Sequence, residues 1–67
     1  MVIIKWTNKF SGETGFVASV STKNQCFVNT FDQESAKKYS EKSIAGIMKK
    51  LEDYHETDNN DFELITV

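Results

Sequence analysis

Cys26 and His55 are the only cysteine and the only histidine in this chain of 67 residues, so any nucleophilic or near-neutral proton chemistry has to pass through them. Catalysis by such groups needs a supporting set, a thiol or hydroxyl within reach of a base that a third group orients. No Ser-His-acid or Cys-His arrangement with a plausible third member is legible. His55 falls at the end of an apolar helical stripe, where a partly buried imidazole closes a core or solvates a helix end. Cys26 alternates with Val28 in a β-rich stretch and reads as a small apolar core residue. The two together are too few for a zinc site. The run Asp58-Asn59-Asn60-Asp61-Phe62-Glu63 spaces oxygen ligands closely, but a calcium loop wants a further ligand at the fifth position, glycine at the sixth and a bidentate glutamate at the twelfth. Here the fifth is Phe62 and the sixth is Glu63, so a solvated acidic loop is expected. The chain is therefore read as non-enzymatic, with no catalytic residues, no metal and no cofactor.

A second chemistry, stacking of bases on aromatics beside cations, is offered by Lys5, Lys9, Phe10 and Lys23 together with Trp6, Phe16 and Phe27. Against it stand the absence of arginine, the net charge of −2 and the thinness of three scattered lysines as a phosphate footprint. Single-stranded nucleic-acid binding is kept as the alternative reading. The charge is unevenly laid along the chain. Residues 1–51 carry 8 lysines and 4 acids, whereas residues 52–67 carry 6 acids and no lysine or arginine.

The elements that must position these groups follow from periodicity. Val2 to Thr7 alternates as a half-buried strand, with Val2, Ile4 and Trp6 on one side. The glycine-bearing polar stretch Asn8 to Gly15 predicts a loop, and Phe16 to Ser21 a second strand, with Phe16, Ala18 and Val20 opposite Val17, Ser19 and Ser21. Thr22-Lys23-Asn24 is a hairpin-length turn, and Gln25 to Phe31 a third strand. Asp32 is placed to cap a short helical turn running through Ala36 and Tyr39, and Ser40 to open the main helix. In that helix Ile44, Ile47, Met48, Leu51 and Tyr54 gather into a stripe about 120° wide, opposite Lys42, Lys49 and Asp53. The polar run from His55 to Asp61 closes the helix, and Phe62 to Val67 reads as a last strand. The expected fold is α+β: a three-stranded antiparallel meander, one amphipathic helix on one face, and a C-terminal fourth strand, βββαβ. That strand is expected beside the first and parallel to it, after a right-handed crossover.

At this length residues 1–67 form a single α+β domain whose one core supplies at most about 3 to 5 kcal/mol, and with one cysteine no internal disulfide can help. The opening run Met1 to Trp6 is too short for a signal core or a membrane span, so a cytoplasmic protein without membrane contact is expected. One helix covers one side of the sheet. Ile3, Val17, Ile65, Val67 and either Phe27 with Phe31 or Cys26 with Val28 are left for the other, more apolar than a wet face needs. Scattered exposure of the kind ordinary in monomers is one account of such a face; the other is a contact, with a protein partner or with a second copy as a homodimer. Ile3, Val17, Phe27, Ile65 and Val67 are its candidate residues.

The segment Ala36-Lys37-Lys38-Tyr39-Ser40-Glu41-Lys42, after a strand meander and before a long amphipathic helix and the strand Phe62-Glu63-Leu64-Ile65-Thr66-Val67, resembles in layout the short uncharacterised proteins of phages and prophages of low-GC Gram-positive bacteria. The resemblance covers most of the chain as a pattern. It implies an accessory protein that inhibits or modulates a host or defence protein by occupying its surface, and it brings no site residues with it.

Overall fold

The computed structural model describes residues 1–54 and 59–67. His55 and Asp58, named above, lie outside the described residues. Strands β1 (Val2–Asn8), β2 (Thr14–Ser21) and β3 (Cys26–Thr30) are followed by a single 3-10 turn (Gln33–Ser35), helix α1 (Ile44–Asp53) and strand β4 (Asn60–Thr66). The four strands form one antiparallel sheet in the order β3-β2-β1-β4, with a single α-helix among the described residues, an α+β arrangement. β4 thus lies beside β1, where it was expected, and the sheet as a whole is not a simple meander.

The direction of β4 corrects the parallel crossover expected from the sequence. It runs antiparallel to β1 in unbroken register from Val2 opposite Thr66 to Asn8 opposite Asn60. The cause is one extra pass of the chain. After the 3-10 turn, the Lys37 amide donates to the Val17 carbonyl, and Val2 and Tyr39 exchange both backbone hydrogen bonds (2.9 and 2.8 Å) in an antiparallel bridge. This extended stretch carries the chain back to the start of β1. The path through α1 then ends at the far end of β1, and β4 has to descend.

Asp32 caps the 3-10 turn as expected, its carboxylate accepting from the Glu34 amide at 3.0 Å, but the turn ends before Ala36. Ser40 accepts from the Ser43 amide, so its hydroxyl closes the turn ahead of α1 rather than the first turn of the helix itself. The predicted stripe is the buried one. Ile44, Leu51 and Tyr54 join Val2, Ile4, Trp6, Val17 and Tyr39 in the core, with Ile47 and Met48 packed against them. Lys42, Lys49 and Asp53 are exposed on the other side of the helix.

A β-bulge between Val17 and Ser19 changes the faces of β2. Up to the bulge, Trp6 stands opposite Gly15 and Lys5 opposite Phe16, so Val17 belongs with Ile4 and Trp6 on the helix side. Past it, Val20 returns to that same side, opposite Phe27. Strict alternation had placed Val17 on the face away from the helix and Phe16 beneath it, and both placements are reversed.

Candidate interaction site

The sheet offers two faces and two edges, and the described elements cover them unequally. On the helix side, Trp6, Phe27 and Phe62 meet ring to ring, with centroids 6.4 Å apart for Trp6–Phe27 and 5.6 Å for Phe27–Phe62. Phe27 therefore lies beneath the helix side, half-buried, and not on the far face where the sequence pattern had allowed it. The pair left for the far face is Cys26 with Val28. Beside the ring cluster is an open recess of about 280 Å³ lined by Trp6, Asn8, Glu13, Phe27, Asn29 and Asn60. Much of its polar lining is already engaged. The Asn8 carboxamide oxygen accepts from the Phe10 and Ser11 amides, both at 2.9 Å, and its nitrogen donates to Asn60.

On the far face Ile3 is only 1% exposed. The stretch after β3 lies over it, and a recess of about 380 Å³ there is lined by Ile3, Gln33, Glu34, Lys38 and Val67. Ile3 is thus on the face expected but already covered by this chain, and Val17, at 0%, sits in the helix-side core. Of the five residues assigned to a contact, the structure brings Ile65 and Val67 to the far face on or just beyond β4, half-buried and 48% exposed. It leaves Ile3, Val17 and Phe27 with structural work.

The lysine and aromatic set is dispersed. Lys9 and Phe10 stand in the loop after β1, whereas Lys23 is in the turn at the opposite end of the sheet, where Ser21 pairs with Cys26. Lys5 sits in the middle of β1 opposite Glu63 on β4, and Lys9 pairs with Asp61 at 3.7 Å. Two of the three lysines are thereby faced by acids of β4. Among the described residues no three histidine, cysteine or acidic side chains lie together as a metal site would need. No helix among them is long and apolar enough to cross a membrane.

The edges differ most. β3 is five residues long and lies against the bulged strand, both devices that discourage further pairing. β4 is seven residues long, without proline, lysine or bulge, and no described segment pairs with its outer side. Leu64, 44% exposed, stands on it facing the helix side. Sequence reasoning did not single out Leu64, although the alternation of Phe62 and Leu64 with Asp61 and Glu63 is legible in the residues of this strand. Comparisons with protein families, with curated proteins and with solved structures find no match to this chain.

Proposed function

We propose that this chain is a non-enzymatic protein-binding domain that engages its partner along the β4 side of the sheet, an accessory protein of the inhibitor-like kind that the phage-type layout implies. The observation that supports it is the open β4 strand, regular along its length and carrying exposed Leu64, with half-buried Ile65 and exposed Val67 behind it. An extended edge supplies unpaired backbone donors and acceptors, and neighbouring apolar side chains supply area, the two ingredients of strand-addition recognition. The nucleic-acid reading has less support, because its lysines are spread over the sheet and faced by acids.

The test is capture of partners by the tagged protein from a bacterial lysate treated with nuclease, beside the double substitution Ile65→Lys, Val67→Lys. A stoichiometric protein held by the parent chain and lost by the substituted one is expected. Recovery of nuclease-sensitive species alone, or equal capture by both chains, would overturn the reading.

A further inference from the structure

The hydrogen-bonding phase of β4 can be read from its neighbours. The Val67 amide donates to the Met1 carbonyl and the Lys9 amide to the Asn59 carbonyl, so the odd-numbered residues of β4 turn their backbone groups toward β1. The amides and carbonyls of Asn60, Phe62, Leu64 and Thr66 consequently point outward along the open edge. On the helix side of that edge stand Phe62 and Leu64, and on the far side Asp61 and Glu63, both exposed. The lysines that face these acids, Lys5 and Lys9, belong to β1 or follow it. A strand added outside β4 would lie about 4.8 Å from the β4 backbone and about twice that from the β1 backbone, so it meets Glu63 before Lys5, while Asp61 already has the Lys9 ammonium 3.7 Å away.

From this arrangement we infer that the partner of β4 is an extended, basic segment of another protein, alternating apolar residues over Phe62 and Leu64 with lysine or arginine beside Asp61 and Glu63. The inference rests on the protein-binding reading and names the partner's chemistry. A second copy fits less well, because two β4 strands side by side place four carboxylates and no cation on the adjoining strands, and like charges on neighbouring strands repel.

The experiment measures fluorescence anisotropy of labelled seven-residue peptides on the full chain, one alternating lysine with valine and one alternating glutamate with valine. The lysine peptide is expected to bind at least about tenfold more tightly, with an affinity that falls as salt is raised. Leu64→Pro removes one outward amide while leaving the β1 ladder untouched, and should weaken the lysine peptide at least about tenfold. Should that variant fail to fold, the double substitution Asp61→Asn, Glu63→Gln serves instead, with an expected loss of about three- to tenfold and a flatter salt dependence. Equal binding of the two peptides, no binding of either, or full binding after Asp61→Asn, Glu63→Gln would overturn the inference. So would a chain that weighs twice its 7.7 kDa in solution and becomes monomeric with Leu64→Pro. If the peptides fail while a captured protein is still lost by the Ile65→Lys, Val67→Lys chain, the binding reading stands and only the partner's chemistry is refuted.

Discussion

Trp6 shows how closely single residues are fitted here. Its indole N–H donates to the Phe16 carbonyl at 3.2 Å, and its ring lies flat enough over β2 that Gly15 is left bare beneath it. A Cβ on Gly15 would come within 2.7 Å of the indole Cζ2. Gly15→Ala should therefore cost about 1 to 3 kcal/mol through overpacking, read as a lowered urea midpoint, although alanine is otherwise the better strand residue. Tyr39 is the other residue with a distinct signature, for burial pushes its phenol above its ordinary value near 10. Below that value both folded and unfolded chains hold the proton. As pH rises past it the unfolded chain loses the proton first, so the stability tied to neutral Tyr39 is lost toward the raised folded value. Urea midpoints should fall for the parent chain as pH rises past about 10, and Tyr39→Phe should make that fall shallower.

At the scale of elements, α1 is the one most fully written in the sequence. The spacing of Ile44, Leu51 and Tyr54 specifies which side is buried, and Gly46 falls on the open side, with nothing within 4 Å of where a Cβ would stand. Gly46→Ala should stabilise the protein by about 1 kcal/mol in chemical denaturation without altering the core. The strands were legible as strands, but two local events hid their geometry. The bulge after Val17 adds one residue to β2, and a period of two carries no record of where an extra residue is inserted, so Phe16 and Val17 exchanged faces. For the stretch from Ala36 to Tyr39 the sequence predicts a helical turn because Asp32 can cap one ahead of it, yet the Lys37 and Tyr39 amides bond to β2 and β1 and make the stretch another pass across the sheet. Reversal of β4 followed from that one segment. The contact residues suffered in proportion. Ile65 and Val67 kept their face because the β1–β4 register is uninterrupted, Val17 was displaced by the bulge, and Phe27, whose face the alternation leaves open, falls on the helix side opposite Val20.

For the whole molecule, the ordering of the sheet concentrates burial on its first strand. β1 is flanked on both sides, packed beneath the helix through Ile4 and Trp6 and covered at Ile3, so four of the ten buried hydrophobic residues among those described lie on this one strand. The charge is arranged around it, with lysines on and after β1 and acids on β4. A net charge of −2 hides an acidic outer strand beside a basic inner one. That separation of charge by strand is what gives the open edge its preference.

The pairing of β1 with β4 also bears on how the molecule comes into being. Val2 meets Thr66 and Asn8 meets Asn60, so β1 is synthesised well before β4 and finds one of its two neighbours only when residues 60–66 have emerged. Until then its apolar residues Val2, Ile3, Ile4 and Trp6 have an unpaired flank, and the entropy of closing so long a stretch of chain has to be met before that contact forms. The growing polypeptide thus passes through a stage in which its stickiest segment is half-dressed, and the strand left open in the finished protein is the one whose arrival ends that exposure.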